Sequence, residues 1–119
     1  MDLRPKTIIC DIDGTLTEHI KPNQAAKIET VLKPLDGSID KLLEWERSGY
    51  NIILLTGRKE SMRSATEAQL RSLGIFYDHL VMGVGGGSRH LINDCKNDGT
   101  TTAYAYNLER NKGISSLQI

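Results

Sequence analysis

The sequence predicts an α/β fold, an open parallel sheet of about five strands with helices packed on its faces. Three observations carry that prediction. Two short β-branched runs, Thr7-Ile8-Ile9-Cys10-Asp11-Ile12 and Asn51-Ile52-Ile53-Leu54-Leu55-Thr56, are nearly continuous in apolar character, as strands covered on both faces are. Segments with apolar residues at helical spacing lie between the apolar runs, which is the pattern of βαβ units. Glycines stand where each helical segment should stop, at Gly49 and Gly74, the positions at which a left-handed C-cap residue is expected.

Each element follows in order. The first run is the central strand candidate. After it, residues 18–35 are polar, carry Pro22 and Pro34, and show only a weak apolar pattern in Ala25, Ile28, Val31 and Leu32, enough for one short helix. A first full helix is expected from Ile39, Leu42, Leu43 and Glu46, with Asp36-Gly37-Ser38 as its start signal. A second is expected from Met62, Ala65, Gln69, Leu70 and Leu73. Three weaker strands are expected at His79-Leu80-Val81-Met82, His90-Leu91-Ile92-Asn93 and Thr101-Thr102-Ala103-Tyr104-Ala105-Tyr106. Gly83-Val84-Gly85-Gly86-Gly87-Ser88 lacks the spacing of a phosphate loop and leads into a strand, so it reads as a turning connection. Residues 109–119 are expected to form a short helix and a loosely held tail. Crossovers of this length are right-handed in nearly all parallel sheets.

Composition narrows the function. A chain of 119 residues is one domain, 1–119, with one core. Fifteen basic residues balance fifteen acidic ones, so bulk attraction to nucleic acid or an anionic membrane is not expected. No apolar run spans a bilayer and no signal-peptide pattern is present, which reads as a cytoplasmic chain. Cys10 and Cys95 lack metal or disulfide spacing and read as two small core thiols. His19, His79 and His90 are scattered, and Tyr104 and Tyr106 read as packing on the last strand.

The residues with chemistry fall at strand ends. Asp11 and Asp13 close the first strand and point the same way while strand geometry lasts, with Ile12 turned into the core. Like charges so placed need compensation, and a hard divalent cation such as Mg²⁺, which takes few carboxylates plus water and phosphate oxygens, supplies it. Asp94 ends the fourth expected strand and Asp98 follows four residues on, within reach of the same ion. Thr56-Gly57-Arg58, at the end of the second strand, offers a hydroxyl, a backbone N–H and a guanidinium suited to phosphate oxygens. In an open parallel sheet these strand ends border the ligand crevice.

Asp11-Ile12-Asp13-Gly14-Thr15-Leu16-Thr17 resembles the first motif of the haloacid dehalogenase superfamily in its phosphotransferase form; Leu55-Thr56-Gly57 resembles the second motif, and Asp94 with Asp98 the fourth. The run from Leu91 to Asn111 is further similar to small bacterial members associated with polysaccharide or sugar-phosphate metabolism. The resemblance implies a three-layer, Rossmann-like sheet with the first strand central. It implies a mechanism in which Asp11 attacks phosphorus, Asp13 acts as general acid and base, and Asp11, Asp13 through its backbone carbonyl, and Asp94 ligate Mg²⁺ with Asp98 as an outer helper. Thr56, with N–H groups near Ile12 and Gly57, would hold the phosphoryl oxygens. The family's third-motif Lys or Arg has no counterpart between Ser72 and Ser88; Arg89 is the preferred stand-in, followed by Arg58 and Arg63, then Lys96.

The expected activity is therefore a Mg²⁺-dependent phosphomonoesterase acting on a small-molecule phosphate ester, a sugar phosphate or related metabolite. The alternatives are a polynucleotide 3′-phosphatase, which the neutral charge disfavours, and a phospho-accepting receiver-like module, which gives no role to Asp13. No large cap domain is expected. Residues 18–35 stand in its place, leaving an open site that a homo-oligomer or the substrate itself would complete.

Overall fold

The computed structural model describes residues 3–119. It contains strands β1 (Thr7–Asp11), β2 (Asn51–Leu55) and β3 (His79–Val81), and helices α1 (Pro22–Ala25), α2 (Ser38–Arg47) and α3 (Arg63–Ser72), the last preceded by a 3₁₀ turn at Glu60–Met62. The strands are parallel in the order β1-β2-β3. Register runs from Thr7 opposite Asn51 to Asp11 opposite Leu55, and from Ile53 opposite His79 to Leu55 opposite Val81. Ile8 and Cys10 therefore form one row with Ile52, Leu54 and Leu80, and all five are buried.

Both long helices close that row into a core. Leu42 and Trp45 of α2 and Leu70 of α3 join it, with Ile12, Leu16 and Ile114 from the connections. Helix α2 carries Asp40 in its first turn and Arg47 in its last, the charge order that complements the helix dipole. It ends ahead of Gly49 and α3 ahead of Gly74, both at positive φ as the stop signals predict. Trp45, absent from the expected stripe, is nonetheless a core residue of α2.

The expected fourth and fifth strands do not form, and β2 rather than β1 lies at the centre of the sheet. In 90–93 and 101–106, polar side chains take the place of a backbone ladder. Asn93 Nδ2 donates to Thr102 Oγ1 at 2.7 Å, and the Thr102 hydroxyl donates to the Asp94 carbonyl. Leu91, Ile92 and Tyr104 remain exposed, and this segment borders a cavity of about 710 Å³ along β1 with Lys6 and Ile9. Cys95, expected in the core, is exposed because it lies on this irregular segment, whereas Cys10 on β1 is buried. Burial and the neighbouring Asp11 push the Cys10 thiol up to about 12.

Residues 109–119, expected to be a loose tail, are anchored instead. Ile114 is buried in the core and the Asn111 N–H donates to the Gly14 carbonyl at 2.8 Å. Residues 18–35 form a hairpin-like stem, with the Glu18 N–H donating to the Lys33 carbonyl at 2.8 Å and the Leu35 N–H to the Leu16 carbonyl at 2.9 Å. The short helix α1 sits at its tip, with Ala25 buried.

Candidate active site

The chain leaves β1 through a tight loop. Ile12 is fully buried, and its carbonyl accepts N–H bonds from Thr15, Leu16 and Thr17 at 3.1, 2.9 and 3.2 Å. The fold-back requires Gly14, whose φ of +87° lies in the left-handed region. Asp11 and Asp13 flank the buried Ile12 and meet different partners. Asp11 Oδ2 accepts the Thr15 hydroxyl at 3.2 Å and Oδ1 accepts Arg89 Nη1 at 3.2 Å. Asp13 receives a bidentate pair from Arg58, Nε to Oδ2 at 2.9 Å and Nη2 to Oδ1 at 2.8 Å.

The end of β2 builds the adjoining wall. Pairing of Asp11 with Leu55 brings Ile12 and Thr56 out of the sheet side by side. Thr56 is buried, its N–H donating to the Val81 carbonyl at 3.0 Å and its hydroxyl oxygen accepting the Arg58 N–H at 3.1 Å. The glycine-rich connection packs against this turn. The Gly83 N–H donates to the Arg58 carbonyl at 2.7 Å and the Val84 N–H to the Thr56 carbonyl at 3.1 Å. Gly57 is required by that approach, since a Cβ there would lie 2.9 Å from the Gly85 carbonyl oxygen.

Arg58 is the most heavily bonded side chain of the site. Besides Asp13 it donates through Nη1 to Thr66 Oγ1 at 3.0 Å and to Gln69 Oε1 at 2.7 Å, both on α3 and both buried. Thr66 and Gln69 escaped the sequence reading as site residues because Gln69 merely continued an apolar stripe. A polar pair three residues apart on the core-facing side of a helix was the available signal.

Six expected residues, Asp11, Asp13, Thr56, Gly57, Arg58 and Arg89, are thus gathered at the C-terminal ends of β1 and β2. Asp94 and Asp98 are not brought to them. Asp94 is exposed on the irregular segment. Asp98 Oδ1 accepts the Thr100 N–H at 2.9 Å and hydroxyl at 2.6 Å, and these bonds hold its carboxyl below the usual range. Among the described residues no three His, Cys, Asp or Glu side chains gather as a metal-holding group. Arg63 is committed elsewhere, pairing with Glu60 Oε1 at 2.5 Å and donating to the Leu80 carbonyl at 3.0 Å. His90 shares a 2.9 Å hydrogen bond with Ser88.

The donor set fits Mg²⁺ in part. The Asp11 carboxylate is about a third exposed and keeps lone pairs beyond its Thr15 and Arg89 bonds, as a hard-cation ligand must. The Asp13 carboxylate is occupied by Arg58 and leaves its main-chain carbonyl as the available donor. Asp11 opens into a cleft of about 640 Å³ lined also by Thr15, Ser88, Arg89, Tyr106 and Asn107.

A parallel sheet whose first strand ends at Asp11, with Asp13 in the loop that follows and a Thr-Gly turn beside them, together with the family match below, defines a member of the haloacid dehalogenase superfamily. More narrowly, residues 5–100 match the family described as polynucleotide kinase PNKP phosphatase domain, and the chain belongs to that family. Among solved structures, a chain of the Pnkp1/Rnl/Hen1 RNA repair complex is similar at 34% identity and a TM-score of 0.55, over 66% of this chain and 25% of that one. A second Pnkp1/Rnl/Hen1 complex is similar at 32% identity and a TM-score of 0.57, over 72% and 30%. The present chain therefore spans less than a third of those relatives. D,D-heptose 1.7-bisphosphate phosphatase from B. bronchiseptica, complexed with magnesium and phosphate, shares the fold at 18% identity and a TM-score of 0.52, over 82% and 55%. No curated protein matches the chain. No helix among the described residues is long and apolar enough to cross a membrane.

Proposed function

We propose that the chain is a Mg²⁺-dependent phosphomonoesterase domain that removes a terminal phosphate from a polynucleotide. The observation that carries this reading is the division of labour between the two acids: Asp11 faces the cleft beside Arg89, while Asp13 is locked by Arg58. An Asp11 oxygen attacks phosphorus in line with the leaving oxygen, and the P–O ester bond breaks as the Asp11 acyl phosphate forms. Asp13 in its protonated form gives its proton to the leaving oxygen and is left as the carboxylate that Arg58 holds; it then takes a proton from the water that attacks the acyl phosphate, inorganic phosphate leaves, and Asp13 is again protonated while Asp11 is again a free carboxylate. Arg89, paired with Asp11 at 3.2 Å, offsets negative charge on phosphate and nucleophile and serves as the third-motif cation. Thr56 and the Gly57 N–H hold phosphoryl oxygens. Asp11 and the Asp13 carbonyl would hold Mg²⁺, which would supply charge screening between the nucleophile and the phosphate.

Membership of the polynucleotide phosphatase family, and similarity to chains of an RNA repair complex, favour a polynucleotide end over the sugar phosphate first expected. The balanced charge supports the small sugar phosphate as the second reading. Hydrolysis of a 3′-phosphorylated oligonucleotide and of a hexose phosphate, each with Mg²⁺ and with EDTA, separates the two. Preference for the oligonucleotide, weakening as salt rises and abolished by EDTA, is the expected result. Preference for the hexose phosphate overturns the substrate assignment, and indifference to EDTA overturns the metal requirement.

A further inference from the structure

Gln69 uses its whole amide. Its Oε1 accepts from Arg58 Nη1 at 2.7 Å, and its Nε2 donates to the carbonyls of Ala25 at 3.0 Å and Lys27 at 2.9 Å. The side chain is about 1% exposed, so water does not substitute for any of these partners. Its orientation is also fixed, because turning the amide over would set its NH₂ against the guanidinium and its oxygen against two carbonyls. One continuous path therefore runs from the tip of the 18–35 segment, through Gln69 and Arg58, to both carboxylate oxygens of Asp13.

Among the described residues, the polar ties that join the tip to α3 run through the Gln69 amide. The stem of the segment is fastened by its own backbone pairs near Thr17 and Pro34, whereas α1 and the turn after it meet α3 at Gln69. If the tip lifts, Nε2 loses both acceptors in a dry site and the amide gains freedom to rotate. Arg58 then keeps Thr66 but loses its shortest contact to α3, and its fork is no longer held against Asp13.

We propose that Gln69 is a positioning residue that makes the placement of Asp13 depend on docking of the 18–35 segment. The segment thus acts from behind the acid rather than as a lid over the cleft, and the site is competent for leaving-group protonation only when the tip is seated. This rests on the reading of Asp13 as the general acid.

The test uses Gln69→Leu, which removes both halves of the link, and Gln69→Glu, which keeps an oxygen for Arg58 but sets an acceptor against the Ala25 and Lys27 carbonyls. Turnover is compared on an aryl phosphate, whose leaving group needs little protonation, and on an alkyl phosphate, whose leaving group needs it fully. Both variants are expected to lose about tenfold more kcat on the alkyl than on the aryl ester, with KM held within about twofold. In both, backbone hydrogen exchange over residues 24–30 is expected to quicken and the Arg58 Nε–H resonance to broaden. Equal loss on the two esters, or a loosened segment with an unchanged ester ratio, overturns the proposal. If the wild-type chain hydrolyses neither ester nor a 3′-phosphorylated oligonucleotide, the phosphatase reading fails; if it hydrolyses the oligonucleotide alone, kcat on that substrate replaces the ester ratio; in either case the coupling is overturned by a loosened segment with an undisturbed Arg58 resonance and upheld by both changing together. Should Gln69→Leu fail to fold, Gln69→Asn, a shortened amide, gives the same readouts.

Discussion

Replacing Arg58 with Met removes a cation whose side chain is 4% exposed and whose guanidinium binds Asp13, Thr66 and Gln69. Removing one partner of a buried ion pair costs about 3–5 kcal/mol, because the other charge stays behind without compensation. The Asp13 side chain is 18% exposed, so water relieves part of that cost and the lower end, about 3 kcal/mol, applies. Gln69 Oε1, dry and deprived of its donor, adds about 1 kcal/mol. The loss of about 4 kcal/mol is a large share of an ordinary domain's stability of roughly 5–15 kcal/mol. In urea, with a slope of roughly 1.5 kcal/mol per molar for a small domain, the midpoint should fall by about 2–3 M. Asp13→Asn in the same background isolates the pair, and the double variant should recover about 2 kcal/mol relative to the sum of the singles. A midpoint shift below about 0.5 M with an unchanged slope, or strict additivity, would refute the reasoning.

Three further expectations are simpler. Gly57→Ala sets a Cβ against the Gly85 carbonyl oxygen and should destabilise by about 1–3 kcal/mol in thermal unfolding, whereas Gly86→Ala, with open space around it, should have no more than a small effect. Burial and the neighbouring Asp11 hold the Cys10 thiol neutral at pH 8 while Cys95 is exposed, so a thiol reagent at pH 8 should label Cys95 alone in the native chain and both after denaturation. The raised Cys10 value means that the folded state favours the protonated thiol; this contribution is intact below the unfolded value near 9 and is lost as pH rises toward 12. Arg89→Ala should lower turnover by about 10²-fold while leaving the urea midpoint within about 0.3 M, since the pair is partly exposed; near wild-type turnover would exclude Arg89 as the third-motif cation.

How much of this was legible in the chain depends on how local the signal is. Asp11-Ile12-Asp13 at the end of a β-branched run, and Thr56-Gly57-Arg58 at the end of the next, were readable because strand alternation fixes where neighbouring side chains point. Helices α2 and α3 were readable from apolar spacing and from Gly49 and Gly74 beyond their ends. The destination of Arg58 was not. Its partner Asp13 lies 45 residues away, and a guanidinium at a strand end is equally suited to phosphate or to carboxylate. Residues 90–106 misled for a different reason: Leu91-Ile92 and the alternation around Tyr104 read as strands, yet Asn93 and Thr102 bond each other and the backbone, and no ladder forms. Asp94 and Cys95 were placed by that same reading; Cys95 is exposed, and Asp94 lies exposed on the irregular segment and is not gathered with Asp11 and Asp13. The anchoring of 109–119 rests on Ile114, buried in the core, with Leu117 and Ile119 packed against it, a spacing too short to carry a clear periodic signature.

The central claim is that Asp11 carries the phosphoryl group. Acid quenching of an Asp13→Asn variant during turnover of a phosphorylated oligonucleotide, followed by peptide mapping, tests it directly, since loss of the base slows breakdown of the acyl phosphate. The account predicts phosphorylation confined to Asp11 and absent from the Asp11→Asn chain; a label on any other residue, or undiminished turnover in Asp11→Asn, would contradict it.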